Sequence, residues 1–197
     1  MKPARKPTAW TFFRQWLKNP LRTAAVAPSS AELAAAMVAE LPDDVRRVIE
    51  LGGGTGAITH ALLGAGIRAD DLLVLELNEE LHAHLHLRFP KVRVVLGDAR
   101  SLQALAAKDG YLDAGLADAI VSGLGLLSMP QELQREILDA ALGCLQPDGA
   151  FVQFTYGPNA PIADAVAGEL GLQVRRGDFI LRNMPPATVY VYTRSTG

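Results

Sequence analysis

Residues 48–59, VIELGGGTGAIT, decide the fold of this chain. A short apolar run leads into Glu50, and glycines follow at positions 52, 53, 54 and 56, with a helical pattern predicted to begin at Thr55. Glycine lets the backbone turn sharply and come close to a ligand, and the first turn of a helix offers N–H groups that have no partner. The stretch therefore predicts a strand, a glycine-rich loop and a helix that together bind a nucleotide-type cofactor.

The glycine loop alone does not identify the cofactor. Gly52, Gly54 and Ala57 satisfy the dinucleotide pattern G-x-G-x-x-G/A, which also serves NAD and flavin enzymes. A second apolar run ends at Glu76, whose carboxylate can accept hydrogen bonds from ribose hydroxyls. Dinucleotide enzymes carry a similar acid, so this feature leaves both cofactor classes open.

The third apolar run, residues 92–96, separates the two classes because Gly97 and Asp98 follow it. The chain thus has E-x-G-x-G-x-G after the first strand, an acid after the second and G-D after the third. In this arrangement it resembles the class I S-adenosylmethionine-dependent methyltransferases. The resemblance implies that S-adenosylmethionine is the cofactor and that S-adenosylhomocysteine is the product.

The resemblance also implies a role for each position of the cofactor site. The glycine loop would hold the aminoacyl end, Glu76 the ribose, and Asp98 with Ala99 the adenine. Glu50 suits the ammonium of this cofactor or an ordered water, although a strand-end acid facing solvent is the alternative. The full predicted cofactor set is Glu50, Gly52, Gly54, Thr55, Gly56, Glu76, Leu77, Asn78, Asp98, Ala99, Arg100 and Ser122.

Composition is typical of a globular α/β protein, with 197 residues, 49% hydrophobic and 20% charged. We expect amino-terminal helices over residues 1–40 and one compact methyltransferase domain over residues 41–197. Cys144 is the one cysteine of the chain and falls in a helical pattern, which favours the reducing cytoplasm. No transmembrane segment, signal peptide or second catalytic domain is predicted.

The basic amino-terminal segment predicts a membrane contact. Residues 1–31 contain six basic residues and no acid, although the whole chain has a net charge of −2. Within TAWTFFRQWLKN, helical spacing puts aromatic residues on one side and cations on the other. This pattern is typical of an interfacial helix on an anionic bilayer, although packing onto the domain or a nucleic-acid arm would also fit. The predicted membrane-binding residues are Trp10, Phe13, Arg14, Leu17 and Lys18.

Alternating elements predict the fold class: an α/β, Rossmann-like, seven-stranded class I methyltransferase sheet, mostly parallel with an antiparallel last strand, plus amino-terminal helices. The connection between the last two strands is too short for a crossover helix, so they should be antiparallel neighbours. The predicted helices are 30–40, 55–65, 79–89, 101–108, 131–146 and 160–170, and the predicted strands are 46–51, 72–76, 92–96, 118–122, 149–155, 172–181 and 187–194.

The methyl acceptor should meet the loops after strands four and five, residues 121–127 and 154–158, since ligands of open α/β sheets lie beyond the carboxyl ends of the strands. Neither loop contains an acid or a histidine. The chain also lacks the Asn/Asp-Pro-Pro-aromatic loop of adenine and amide N-methyltransferases. The absence of that loop disfavours a nucleobase acceptor.

The stretches KNPLRTAAVAPSS, VSGLGLL, LQPDGAFVQFTYGP and FILRNMPPATVYVY resemble the bacterial phospholipid N-methyltransferases of the soluble type. That family methylates phosphatidylethanolamine stepwise to phosphatidylcholine. The resemblance runs from about residue 12 to residue 192. It implies phosphatidylethanolamine and its methylated derivatives as substrates, an anionic membrane surface as partner, no nucleic acid, a monomer, and a cytoplasmic enzyme peripheral to the inner face of the cytoplasmic membrane.

Catalysis requires an aligned and uncharged amine, because the sulfonium of the cofactor is already a strong electrophile. We expect Tyr156 to be a wall or hydrogen-bond partner of that amine, with the Ser122 and Gly123 carbonyls orienting it. A packed aromatic at a strand end is the alternative for Tyr156. The two alternative functions are an rRNA adenine N-methyltransferase-like enzyme and a non-enzymatic, cofactor-binding membrane adaptor.

Metal binding is not predicted. His82 and His86 share a helix face at i, i+4 spacing, but no acid or cysteine nearby completes a tetrahedral set, and His84 points to another face. A solvated helix explains the three histidines better.

Overall fold

The computed structural model describes residues 31–156, 159–183 and 185–195. The predicted interfacial helix, with Trp10, Phe13, Arg14, Leu17 and Lys18, lies outside these residues. The helices are α1 Ala31–Ala39, α2 Ala57–Gly64, α3 Glu79–Arg88, α4 Leu102–Asp109, α5 Gln131–Leu142 and α6 Asp164–Glu169. The strands are β1 Val48–Leu51, β2 Leu72–Glu76, β3 Arg93–Leu96, β4 Ala117–Ser122, β5 Leu145–Thr155, β6 Leu172–Ile180 and β7 Ala187–Arg194.

The described strands form one seven-stranded sheet in the order β3-β2-β1-β4-β5-β7-β6. Neighbouring strands from β3 to β5 are parallel, whereas β7 runs antiparallel to both β5 and β6. This confirms the predicted class I methyltransferase sheet with its antiparallel last strand. The strand order reverses between β1 and β4, and such a switch point opens a crevice at the carboxyl ends of the strands.

Strands β1, β2, β4 and β7 are buried on both faces, as their near-continuous apolar sequences require, whereas the edge strand β6 is largely exposed. Ile49, Leu51 and Phe151 belong to the core on the face that packs against α4, α5 and α6. Val48 and Val152 belong to the core on the opposite face, with α1 and α2. Successive strand residues point to opposite faces of the sheet. The strand register therefore also decides on which face each polar side chain lies at the carboxyl edge.

Several predicted element boundaries were wrong. Helix α2 begins at Ala57 instead of Thr55, because its cap Gly56 is left-handed with φ +84°. Helix α5 ends at Leu142 instead of residue 146, so Cys144 lies in a turn and not in a helix. Strand β5 begins earlier than predicted because Leu145 pairs with β4. Helix α6 covers only Asp164–Glu169 of the predicted residues 160–170.

Candidate active site

Two groups of strand ends meet at the carboxyl edge of the sheet. We call residues 50–56, 76–78 and 97–100, which end β1, β2 and β3, the cofactor half. We call residues 122–129 and 153–156, which end β4 and β5, the acceptor half. The two halves meet at the switch point between β1 and β4.

The glycine loop of the cofactor half needs glycine for its conformation. Gly52, Gly54 and Gly56 have φ values of +75°, +55° and +84°, in the left-handed region that favours glycine. The Gly52 N–H donates to the Leu75 carbonyl at 2.8 Å. A Cβ on Gly52 would lie 2.9 Å from a methyl carbon of Leu124, so the loop packs tightly against the acceptor half.

Glu76 fixes this loop to the end of β2. Its side chain is buried; one carboxylate oxygen accepts from the Gly54 N–H at 2.9 Å and the other from the Asn78 N–H at 2.8 Å. A carboxylate can accept about four hydrogen bonds. Glu76 therefore holds the loop and keeps acceptor capacity for ribose hydroxyls.

Glu50 is a buried acid with one unused acceptor. Its Oε2 accepts from the Thr59 hydroxyl at 2.6 Å, whereas Oε1 has no hydrogen-bond partner among the described residues. Burial raises the pKa of Glu50 to about 8, and the hydrogen bonds from Thr59 oppose this shift only in part. A buried acceptor without a donor is unfavourable, so the site is suited to a ligand cation or an ordered water.

Asp98 is held in its ionised form by Arg100. The guanidinium donates from Nη2 to Oδ2 of Asp98 at 2.7 Å, and the Arg100 backbone N–H donates to Oδ1 at 2.9 Å. The hydrogen bond from the Arg100 side chain lowers the pKa of Asp98. Arg100 also approaches Glu136 on α5 at 3.6 Å, which ties the end of β3 to that helix.

A cavity of about 270 Å³ opens between the two halves. Seven of the predicted residues line it: Gly52, Glu76, Leu77, Asp98, Ala99, Arg100 and Gly123. Six further residues line it: Leu75, Gly97, Leu124, Met129, Leu133 and Ile137. Gly97 belongs to the predicted G-D motif and Leu124 to the loop that was predicted to meet the methyl acceptor, whereas the other four were not predicted. Leu133 and Ile137 are four residues apart on α5, and this helical spacing was the one signal in the sequence that pointed to them.

The remaining predicted cofactor residues, Glu50, Gly54, Thr55, Gly56, Asn78 and Ser122, are not among those that line this cavity. The Asn78 side chain caps α3 by accepting from the Leu81 N–H at 3.0 Å. The Thr55 carbonyl accepts from Arg88 at 2.6 Å. These residues shape the loops instead of lining the cavity, so their contact with the cofactor stays a prediction.

This set of hydrogen-bond acceptors fits S-adenosylmethionine. Glu50 offers an acceptor to a cation, Glu76 to hydroxyls and Asp98 to an amine, and an apolar wall faces the acids across the cavity. S-adenosylmethionine contains no pyrophosphate, so the site needs no cluster of backbone N–H groups to bind one. When bound, the cofactor supplies an electrophilic methyl group on its sulfonium.

The acceptor half consists of uncharged groups. Ser122 is buried, and its hydroxyl oxygen accepts from the Leu124 N–H at 3.3 Å. A Cβ on Gly123 would lie 2.9 Å from the Gly52 carbonyl oxygen, which brings this loop against the glycine loop. The predicted residues Ser122 and Gly123 therefore lie where the two halves touch.

Gln153 is a polar residue of the acceptor half that sequence reasoning missed. It pairs in register with Ser122 on β4 and is buried. Its Nε2 donates to the Leu124 carbonyl at 2.7 Å and to the Phe154 carbonyl at 2.9 Å, while Oε1 is buried without a partner among the described residues. Strand register brings these groups together, and nothing in the local sequence pattern indicates it.

Tyr156 follows β5 and is 41% exposed. Its ring packs edge-on against Phe154 with 5.2 Å between the ring centroids. Burial raises the pKa of Tyr156, and a hydrogen bond with the Asn183 side chain lowers it in part. The phenol thus stays protonated at neutral pH and can serve as a hydrogen-bonding wall, but not as a base.

The histidines of α3 interact with each other and with the chain. The rings of His82 and His86 meet edge to face at 4.6 Å, and His82 Nε2 lies 3.3 Å from the Val94 carbonyl oxygen. The described ranges contain no group of three or more His, Cys, Asp or Glu residues that could hold a metal ion. They also contain no helix that is both long and apolar enough to cross a bilayer.

Comparison with solved structures identifies the fold. The CcbJ methyltransferase from Streptomyces caelestis matches with a TM-score of 0.65 and 19% identity, covering 87% of this chain and 92% of that one. An S-adenosylmethionine-bound amino pentose methyltransferase from Micromonospora echinaspora matches with a TM-score of 0.58 and 17% identity, covering 84% and 90%. The fold is thus that of the class I methyltransferases.

Comparison of sequences identifies the family. No family model matches the chain. The ornithine lipid N-methyltransferase of Singulisphaera acidiphila is 34% identical over 151 residues, which cover 75% of this chain and 77% of that protein. Together with the glycine loop, the three acids and the class I sheet, this identity shows that the chain belongs to the S-adenosylmethionine-dependent lipid N-methyltransferases.

Proposed function

We propose that this enzyme methylates the amine of phosphatidylethanolamine, stepwise towards phosphatidylcholine, at the surface of a membrane. The observation that carries the proposal is the neutral acceptor half beside an S-adenosylmethionine site in a lipid N-methyltransferase. Residues 121–127 and 154–158 contain no acid, so nothing in them favours the ammonium form of an amine. An amine must be uncharged to act as the nucleophile, and an apolar site lowers its pKa.

The predicted roles of the acceptor half become part of this proposal. The Ser122 and Gly123 carbonyls orient the amine, since both residues lie beside the glycine loop. Tyr156, held by Asn183 and Phe154, forms a wall of the amine site. Water takes the proton that the ammonium releases.

Exposed apolar residues support action at a membrane surface. Leu127, Tyr156 and Leu181 are 45%, 41% and 72% exposed, and each follows a strand at the carboxyl edge. Arg182, beside Leu181, is exposed as well. Apolar side chains with a cation favour an interface rich in anionic lipid. We propose that this edge faces the bilayer and that the basic segment of residues 1–31 also binds the membrane.

Ornithine lipid is the second candidate substrate, because the relative with 34% identity is an ornithine lipid N-methyltransferase. Ornithine and ethanolamine head groups both present a primary amine. They differ in the neighbouring anion, which is a carboxylate in ornithine and a phosphodiester in phosphatidylethanolamine. The amine chemistry proposed for the acceptor half is the same for both lipids.

Transfer of a labelled methyl group tests the proposal. Purified full-length enzyme is incubated with labelled S-adenosylmethionine and one acceptor: phosphatidylethanolamine vesicles, ornithine lipid vesicles, soluble phosphoethanolamine, or total RNA. We expect label in phosphatidylethanolamine, far above label in phosphoethanolamine. Label in ornithine lipid alone would transfer the proposal to that substrate, and label in RNA alone would favour the rRNA-type alternative. Cofactor binding without label in any acceptor would favour the membrane adaptor.

We also propose a monomeric, cytoplasmic enzyme that binds the inner face of the cytoplasmic membrane peripherally, with residues 41–197 as its methyltransferase domain. Light scattering of the purified protein and fractionation of cells test these points. A stable dimer, or a purely soluble distribution in cells, would contradict them.

A further inference from the structure

Gln153 holds an unused acceptor in a defined orientation. Its Nε2 lies 2.7 Å from the Leu124 carbonyl and 2.9 Å from the Phe154 carbonyl. Both neighbours can only accept, so the NH₂ group must face them and Oε1 must face the other way. That oxygen is buried and has no partner among the described residues.

The orientation of Gln153 relates it to the active site. Gln153 has the same strand parity as Phe151, whose side chain belongs to the core between the sheet and α5. The cavity wall of Leu124, Met129 and Leu133 lies on this face of the sheet. Gln153 also donates to Leu124 of that wall. Gln153 is therefore hydrogen-bonded to the loop of residues 122–129, which meets the cofactor half at the cavity.

We propose that Gln153 binds the methyl acceptor, with Oε1 accepting a hydrogen bond from an N–H of the substrate amine. This inference rests on the proposed function, since it requires an amine as acceptor. A buried polar atom without a partner calls for a donor from a ligand, and a neutral primary amine has two N–H donors. An amide oxygen can orient that amine without the negative charge that would stabilise its ammonium form.

The proposal makes the contribution of Gln153 depend on the methylation step. A neutral primary amine has two N–H groups, its monomethyl derivative has one, and its dimethyl derivative has none. Loss of Oε1 should therefore impair the first transfer most and the third least. A purely structural role for Gln153 would reduce all three transfers by the same factor.

A matched pair of variants tests this dependence. Gln153→Met removes the acceptor and leaves the Leu124 and Phe154 carbonyls without their donor. Gln134→Met is the control, because Gln134 is also buried and donates to two loop carbonyls, but its Oε1 already accepts from the Ala163 N–H at 3.0 Å. Transfer is measured on vesicles of phosphatidylethanolamine and of its monomethyl and dimethyl derivatives, and S-adenosylmethionine affinity is measured by calorimetry.

We expect Gln153→Met to lower transfer to phosphatidylethanolamine about tenfold more than transfer to the dimethyl lipid, with cofactor affinity within about twofold of wild type. Gln134→Met should change the three transfers by one common factor. Equal losses on all three lipids in Gln153→Met would overturn the proposal. If the wild-type enzyme labels none of these lipids, the proposed substrate fails, and the same series is run on ornithine lipid and its N-methyl derivatives.

If Gln153→Met does not fold, Gln153→Glu is used instead, because glutamate and glutamine are nearly isosteric. A carboxylate beside the amine would favour the ammonium form, so the pH profile of transfer should move to higher pH. An unchanged pH profile in the folded glutamate variant would contradict contact between residue 153 and the amine.

Discussion

In the cofactor half, acidic side chains are placed by hydrogen bonds from nearby donors, whereas in the acceptor half the polar side chains are uncharged. Glu76 accepts from two backbone N–H groups, and Asp98 is clamped by Arg100. Gln153, across the switch point, keeps a buried oxygen without a partner among the described residues. The cofactor half is thus arranged around charged side chains, whereas the acceptor half contains none, as the proposed amine chemistry requires.

The largest expected effect concerns the buried acid of the cofactor half. Because burial raises the pKa of Glu50 from 4.5 to about 8, the folded protein binds more protons than the unfolded chain between these pH values. Its free energy of unfolding should then fall as pH rises through this window, by at most about 1.4 kcal/mol per pH unit. Glu50→Gln should flatten that slope, as measured by urea unfolding from pH 5 to pH 8.

Saturation with S-adenosylmethionine should also flatten the wild-type slope, because a cation near Glu50 favours the ionised carboxylate. Equal slopes in wild type and Glu50→Gln would show that Glu50 is not the group responsible. Equal slopes would also contradict the proposed binding of a ligand cation by Glu50 Oε1.

The second prediction concerns the contact between the two halves. Gly52→Ala places a Cβ at positive φ, 2.9 Å from Leu124, whereas Gly64→Ala places one where nothing lies within 4 Å. We expect Gly52→Ala to weaken S-adenosylmethionine binding roughly 100-fold or more. An alanine in this left-handed conformation costs about 1–2 kcal/mol, and its Cβ would also displace Leu124 of the cavity wall. Gly64→Ala should bind normally and be slightly more stable. Calorimetry and thermal unfolding measure both quantities, and normal binding by Gly52→Ala would contradict the loop assignment.

The third prediction concerns adenine recognition. Asp98→Ala should weaken cofactor binding by about 1–3 kcal/mol, the usual cost when a buried hydrogen-bonding group loses its partner. Asp148→Ala is the control, since Asp148 is exposed in β5, outside the cofactor half. Calorimetry at low salt measures both affinities. If the two variants bind equally well, adenine lies elsewhere.

The cofactor half could be predicted from the sequence because its signals are local. Glu50, Glu76 and Asp98 each follow an apolar run, and the glycine spacing identifies the turn. The alternation of elements predicted a mostly parallel sheet, and the short connection before the last strand predicted its antiparallel pairing. Helix ends were less predictable, since the left-handed Gly56 delays α2 and the pairing of Leu145 extends β5.

The acceptor half depends on contacts between residues distant in sequence, and this limited the prediction. The place of Gln153 in the site is apparent only from its hydrogen bond to Leu124, which lies 29 positions away in the chain. Met129 and Leu133 reach the cavity only because the loop after β4 and helix α5 fold back over it. Neither the contact of Gln153 with Leu124 nor the position of Met129 leaves a spacing pattern in one sequence, and the spacing of Leu133 and Ile137 indicates only that they share a helix face.

The smallest expected effect concerns membrane contact at the acceptor half. Leu181→Asp changes a residue that is 72% exposed at the carboxyl edge, and Leu87→Asp changes one that is 85% exposed on α3. We expect Leu181→Asp to lower binding to anionic vesicles severalfold, with Leu87→Asp close to wild type, because only the first lies at the proposed interface. Flotation assays measure vesicle binding, and equal binding by both variants would contradict the proposed membrane face.

Deletion of residues 1–18 tests whether the basic amino-terminal segment contributes to membrane binding. If that segment is an anchor, vesicle binding should fall and become less sensitive to salt, while cofactor affinity is retained. Lost cofactor affinity would indicate instead that the segment covers the cofactor half. Unchanged vesicle binding would eliminate the anchor and leave docking to the carboxyl edge.

The most direct measurement of the central claim is lipid mass spectrometry after expression in a bacterium that makes phosphatidylethanolamine but no methylated form of it. We expect mono-, di- or trimethylated phosphatidylethanolamine in cells with the wild-type chain and none in cells with Gly52→Ala. Unmethylated lipid in cells that contain folded, cofactor-binding wild-type protein would contradict phosphatidylethanolamine as the substrate.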